Sequence, residues 1–170
     1  MSWKRPAVEQ RMAVFLEDLP STISGNILDM GTGDGVFTRL LKTRYPNNFL
    51  LQMDIQHYRR QGNEFYQGAI QAPPHRLQSL SLIVCAQVLH YLGPTQQKQA
   101  ISALLSVLEP QGRLVIIEYI NQTSRPWLPF PLLVDDLEDM GFSPFIRRII
   151  YDQDKWRPKY AAYLSGESMQ

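Results

Sequence analysis

The sequence predicts a doubly wound, mostly parallel α/β sheet, and three observations carry that prediction. Short apolar runs at Ile27-Leu28, Phe49–Met53 and Leu80–Ala86 alternate with helical patterns, the arrangement that builds strand–helix–strand units. The first run leads into Asp29-Met30-Gly31-Thr32-Gly33-Asp34-Gly35, where glycines alternate with other residues before a helix opens at Val36-Phe37-Thr38-Arg39-Leu40-Leu41. The second run closes on another acid, Asp54. A strand, a glycine turn, a helix and a strand ending in a carboxylate make a nucleotide-cofactor half-site.

Pro6 suits the first turn of a helix running to about Leu19, with Val8, Met12, Phe15, Leu16 and Leu19 on one side. Pro20-Ser21-Thr22 ends it. The first strand spans Asn26–Met30, and a helix from about Gly35 to Arg44 follows, stopped by Tyr45-Pro46-Asn47-Asn48. The second strand is Phe49–Asp54. His57–Gly62 has room for only a turn or two of helix before a third strand near Glu64–Ile70, broken by Ala72-Pro73-Pro74. The fourth strand is Leu80–Ala86, a helix runs from Gly93-Pro94 through Leu108, and Gly112–Ile120 is the fifth strand. Asn121–Phe130, with Pro126 and Pro129, reads as a loop, and Pro131–Met140 as an amphipathic helix capped by Gly141. Phe145–Tyr151 and Lys159–Leu164 read as strands around the turn Asp152-Gln153-Asp154-Lys155. With no helix between them, they should run antiparallel to each other.

Residues 1–170 are expected to form one domain: the size supports a core, and no repeat, low-complexity tract or linker divides them. A net charge of +1 offers no bulk attraction for nucleic acid or an anionic membrane, so neither is an expected partner. The pairs Arg59-Arg60 and Arg147-Arg148 read as solvated surface. No apolar run approaches the ~18 residues of a membrane span. Met1–Pro6 lacks the apolar segment of a secretory leader before Glu9. The single cysteine, Cys85, excludes an internal disulfide and suits a reducing cytoplasm, the expected location. His57 and His75 show no metal-ligand spacing with each other or with Cys85, so no metal is expected.

The glycine turn distinguishes between cofactors. The dinucleotide fingerprint G-x-G-x-x-G would put its third glycine at position 36, where this chain has Val36; the glycine stands at Gly35 instead. Asp29, two residues before the first glycine, would repel a pyrophosphate at the helix N-terminus. It suits a cofactor whose nearby group is cationic, such as the ammonium or sulfonium of S-adenosylmethionine, which has a ribose but no phosphate. Spacing and charge therefore both favour S-adenosylmethionine over NAD.

Ile27–Gly35 resembles motif I of the class I S-adenosylmethionine-dependent methyltransferases. Asp54, the segment Leu82–Leu92 and the segment Leu108–Glu118 are similar, in order, to that family's second-strand acid, fourth-strand segment and fifth-strand turn. The resemblance implies a seven-stranded sheet with the last strand inserted antiparallel. It implies that Gly31, Thr32 and Gly33 wrap the methionine and ribose, with Gly35 completing the turn. Asp29 would lie near the amino group, Asp54 would accept from both ribose hydroxyls, and Ile55 and Ile70 would flank the adenine. Cys85 and Gln87 close the set at the end of the fourth strand. The chain departs from the pattern at Ala69, where an acid usually bonds the adenine amino group, leaving that group to backbone or Gln71. Ser81 replaces a common aspartate, and Pro110-Gln111-Gly112 replaces proline-glycine-glycine. Asp54 also suits an N-cap for the segment from Gln56, a role compatible with ribose binding.

Methyl transfer needs chiefly alignment of nucleophile, methyl and sulfur, with a general base for some oxygen or carbon nucleophiles. The candidates near the fourth and fifth strand ends are His90, Tyr91, Glu118 and Tyr119. His90 is the best base by its ordinary pKa, and it suits packing or capping as well. Glu118 ends an apolar strand, where an acid is costly unless bonded; it would orient substrate, bind an ammonium or pair with an arginine. Arg125, Trp127 and Phe130 read either as a lid wall or as a stiffened connection. The expected acceptor is a small molecule methylated at O, N or C. The short N-terminal extension and fifth-strand insertion leave its pocket open, completed by a second subunit in a homodimer, or shaped for a carrier- or protein-held substrate. The rival reading is a non-catalytic cofactor-binding module on the same fold.

Overall fold

The computed structural model describes residues 12–57, 60–73, 77, 79–119, 137, 144–151 and 158–165. Five parallel strands lie in the order β3-β2-β1-β4-β5: β1 is Asn26–Met30, β2 Leu50–Asp54, β3 Glu64–Gln67, β4 Leu80–Ala86 and β5 Leu108–Tyr119. From β5 the pairing continues onto β7 (Pro158–Ser165) and then β6 (Pro144–Tyr151), both contacts antiparallel. Helix α1 (Val36–Arg44) joins β1 to β2, and α2 (Pro94–Ser106) joins β4 to β5. Among the described residues no helix is long and apolar enough to cross a membrane.

Two apolar cores follow from the period-two alternation of the strands. Leu28, Met30, Leu51, Met53, Ile83, Cys85, Leu114 and Ile116 pack with Ala100, Ile101 and Leu104 of α2. Ile27, Leu50, Leu82, Val84, Ala86, Val115 and Ile117 pack on the other face with Phe37 and Leu41 of α1 and with Met12, Phe15, Leu16 and Leu19. Leu80 shares a core with Ile83, not Leu82, because the β1–β4 and β4–β5 registers both shift at the start of β4.

Several element boundaries differ from the sequence expectation. Of the helix expected over Pro6–Leu19, the described part is helical at Met12-Ala13 and tightens to a 3-10 turn at Val14–Leu16. Described residues in the short helix expected between His57 and Gly62 are not helical; the Gln61 and Gly62 N–H groups donate to Gln52 Oε1, both at 2.6 Å. β3 stops at Gln67, where the Gly68 N–H turns back to Asp54 O at 2.8 Å, so Ala69 and Ile70 lie beyond the strand. Helix α2 ends at Ser106, and β5 begins at Leu108, opposite Leu80. The helix over Pro131–Met140 lies outside the described residues except for Leu137, which is helical and buried. Arg125, Trp127, Phe130, His75 and the turn Asp152–Lys155 lie wholly outside them.

Candidate functional site

Strand order reverses between β1 and β4, whose chain connections run to opposite sides of the sheet. In an open parallel sheet ligands bind outside the carboxyl ends of the strands at such a point. A cleft of about 900 Å³ lies there. Gly31–Asp34 after β1, Asp54–Gln56 after β2, Gly68–Gln71 after β3 and Ala86–Val88 after β4 form its walls. Met12, Met30, Val36, Phe37, Tyr91, Leu92 and Gln96 complete the lining.

The turn after β1 is built on positive φ: Gly31 at 72°, Gly33 at 49° and Gly35 at 78°. Gly31 also has no room for a side chain, since a Cβ would stand 2.0 Å from Val88 Cγ2. At Gly33 a Cβ would meet nothing within 4 Å, so this backbone faces open space. The Gly31 and Thr32 N–H groups donate to Met53 O at 2.7 and 3.2 Å, anchoring the turn to β2. Beneath it Asp29, 1% exposed, accepts from Thr32 Oγ1 at 3.0 Å and from Thr38 Oγ1. Gln52 Nε2 donates to Thr32 Oγ1 at 2.8 Å, and Gln61 Nε2 donates to Asp34 O at 2.9 Å. Burial raises the Asp29 carboxyl to about 6, against the two threonine hydrogen bonds, which lower it.

Asp54 differs from Asp29 in facing the cleft and in being only half-buried. Its Oδ2 accepts the Gly33 N–H and its Oδ1 the Gln56 N–H, each at 3.0 Å. The second bond is the local turn that the capping reading anticipates, although none of the described residues from Ile55 to Asn63 is helical. A carboxylate has about four acceptor sites, so two remain for a ligand. Ile55, 70% exposed, stands beside it on the cleft wall.

The structure brings Gly31, Thr32, Gly33, Asp54, Ile55, Ala69, Ile70, Gln87 and Tyr91 to one cleft. Five residues named from the sequence do not line it. Asp29 lies buried under the turn, held by Thr32 and Thr38 rather than presented to a ligand. Gly35 is the left-handed N-cap of α1 and packs against Gln61. Cys85, fully buried, points into the α2-side core because strand alternation turns its neighbour Ala86 the other way; burial also pushes its thiol pKa up. His90 and Glu118 meet each other, Nδ1 to Oε2 at 2.7 Å, at 2% and 0% exposure, and neither lines the cleft. The acid end of β5 thus found a histidine and two backbone N–H groups, not an arginine. Of His90, Tyr91 and Glu118 only Tyr91 reaches the cleft; it is 64% exposed, its ring 4.1 Å from that of His90. Ser81 lies at the opposite end of β4 and donates to Glu109, so it bears on the strand start, not on the cleft.

Sequence reasoning missed Met12, Phe37 and Gln96 as wall residues and Gln52 and Gln61 as supports of the glycine turn. Gln52 carried a readable signal: a glutamine in an otherwise apolar run must bond something once buried.

A family model described as a methyltransferase domain matches residues 27–112 of this sequence. The chain belongs to that methyltransferase family. The matched span runs from β1 to the first residues of β5 and so contains all four strand ends that line the cleft. An uncharacterized methyltransferase of Schizosaccharomyces pombe is 24% identical over 131 residues, 73% of this chain and 51% of its own length. The chain spans about half the length of the curated S. pombe relatives it matches. A ribosomal RNA small subunit methyltransferase C of Pseudomonas syringae is 38% identical over 48 residues, 28% of this chain. Among solved structures, the N-methyltransferase NodS of Bradyrhizobium japonicum, in complex with S-adenosyl-L-homocysteine, aligns with a TM-score of 0.76 at 21% identity. That alignment covers 98% of this methyltransferase-family chain and 88% of NodS.

Proposed function

We propose that this chain is an S-adenosylmethionine-dependent methyltransferase of the seven-stranded class I type, acting on a small-molecule acceptor. The observation that carries the reading is Asp54: a half-buried carboxylate at the cleft, tied to the Gly33 N–H, with lone pairs left over. The cofactor fits the residues present. Its ribose hydroxyls suit the remaining Asp54 acceptors, and the bare backbone at Gly33 leaves space where a side chain would stand. Ile55 and Ile70 offer apolar contact to a flat base, with Gln71 as the polar neighbour at its edge. The cofactor, when bound, supplies an activated methyl group. The protein's part is alignment and exclusion of water, to which Met12, Gln87, Tyr91, Leu92 and Gln96 contribute on the acceptor side. NodS, similar in fold and solved with S-adenosyl-L-homocysteine, supports the choice of cofactor.

Charge in the cleft supports a small-molecule acceptor. Among the described lining residues the charged side chains are Asp34 and Asp54, both acidic. Such a lining suits a neutral or cationic acceptor and opposes a nucleic-acid backbone, whose binding depends on lysine and arginine. Calorimetry with S-adenosylhomocysteine tests the reading. The wild-type chain should bind it at one site, and Asp54→Ala should weaken binding about a hundredfold, the loss of two hydrogen bonds to a charged group. Undiminished binding by the folded variant would remove the proposed donor site. A panel of amine, phenol and carboxylate acceptors, with an RNA arm, then identifies the acceptor class.

A further inference from the structure

Glu118 has no solvent exposure, and its three hydrogen-bond partners among the described residues all belong to one short segment. Oε1 accepts the N–H groups of Val88 and Leu89, each at 2.8 Å, and Oε2 meets His90 Nδ1 at 2.7 Å. An ionised carboxylate offers only acceptors, so Nδ1 is the donor of this contact in the tautomer that protonates it. Burying a carboxylate is costly unless donors fill its lone pairs. The segment after β4 supplies three donors within three consecutive residues.

That segment is also part of the cleft. It contributes Gln87, Val88, Tyr91 and Leu92 to the lining. Its entry is held by the Gln87 N–H on Ile117 O at 2.7 Å, with Gln87 in the left-handed region at φ 59°. Its 3-10 turn, Leu89–Tyr91, is held from α2 by Gln97 Nε2 on Leu89 O at 3.0 Å. Val88 is the residue that closes on Gly31, the place where the donor-side turn has no room for a Cβ.

We propose that Glu118 is a positioning residue for the donor side of the cleft, holding the Val88 backbone so that the Val88 side chain seats against the bare backbone of Gly31. The inference rests on the donor-site reading above and requires no contact between Glu118 and any ligand. Carboxylate length then matters more than charge. Glu118→Asp keeps the charge but is a methylene too short to hold all three donors without drawing the segment toward β5. Glu118→Gln keeps the length and an oxygen for the two backbone N–H groups.

Calorimetry with S-adenosylhomocysteine tests this, at a temperature well below each variant's unfolding and with the folded state verified by amide NMR spectra. Glu118→Asp should weaken binding about tenfold or more, whereas Glu118→Gln should stay within roughly threefold of wild type. Val88→Ala, which leaves every Glu118 bond in place, should also weaken binding by about threefold or more. A purely structural role would lower Tm and leave the dissociation constant of the folded protein alone. Folded Glu118→Asp that binds like wild type overturns the proposal; if that variant does not fold, wild-type binding by Val88→Ala does so. Failure of the wild-type chain to bind S-adenosylhomocysteine would instead remove the donor site itself, a result distinct from normal binding by the variants.

Discussion

The cleft is walled by two turns that differ in how each sits on a buried acid. The turn after β1 lies over Asp29, and the segment after β4 is tied to Glu118; the two acids are 1% and 0% exposed. Asp29 is met by the hydroxyls of Thr32 and Thr38, and burial still raises its carboxyl to about 6. Glu118 is met by two backbone N–H groups and an imidazole. The first turn depends on glycine conformations and a side-chain network through Gln52 and Gln61. The second uses ordinary side chains and takes its shape from the acid itself. A carboxylate at a strand end is therefore no guarantee of a ligand contact. Of three such acids, only half-buried Asp54 faces the cleft, and the other two support the turns beside it.

The sharpest way to break this comparison is Gly31→Ala. It forces an L-residue into φ 72° and drives a methyl into Val88, so unfolding free energy should fall by about 3 kcal/mol in urea titrations. A loss under about 1 kcal/mol would show that the Val88 contact yields easily and that the two turns are not coupled. Asp29→Asn comes next, and its effect depends on pH. The Asp29 carboxyl rises from its ordinary 3.8 to about 6 on folding, so between those values the folded state holds the extra proton. The stability this group contributes is full below the lower value and lost as pH rises through the upper one. Asp29→Asn has no charge to bury. Between about pH 4 and pH 7.5 it should therefore gain on wild type by roughly 3 kcal/mol, read from paired urea unfolding curves.

Gly33→Ala should cost about 1 kcal/mol, from its φ of 49° alone, because no atom lies near the added methyl. Its larger effect should be on S-adenosylhomocysteine binding, which calorimetry reads separately from stability. Equal stability losses for Gly31→Ala and Gly33→Ala would contradict the packing difference between them. The smallest change expected is Tyr91→Ala: with its side chain 64% exposed, unfolding free energy should move by no more than about 0.5 kcal/mol. Acceptor KM is where that residue should show, once an acceptor is in hand.

Much of this molecule was legible in the chain. β1 and β4 have the expected bounds, β2 starts one residue later, and the glycine turn and Asp54 meet at the cleft as their spacing implied. Four of the residues that lie outside the cleft lining share a cause. Cys85, Asp29, His90 and Glu118 stand at or just past strand ends, where one residue of offset or one hydrogen-bond partner sends a side chain into the core or into the cleft. Periodicity locates a strand end to within a residue or two, too coarse to choose between those outcomes. The early start of β5 has a similar origin. Leu108 pairs with Leu80 before the register shifts at Leu82 opposite Arg113, leaving Glu109–Gly112 as extra residues of the strand, where Gly112 admits no Cβ beside Leu80 O. Nothing local in Pro110-Gln111-Gly112 distinguishes that from a plain turn.

Local chemistry alone settled the alternation of strands and helices, the glycine turn and the acid that ends β2. Backbone conformation and apolar periodicity are properties of short segments, and a sequence states them directly. Packing decided which acids support and which face a ligand, because a buried carboxylate takes whatever donors the neighbouring strands and turns bring within reach. Residues 30 and 87 apart in the chain, Val88 and Gly31 from Glu118, acquire their relation only when β1, β4 and β5 lie side by side.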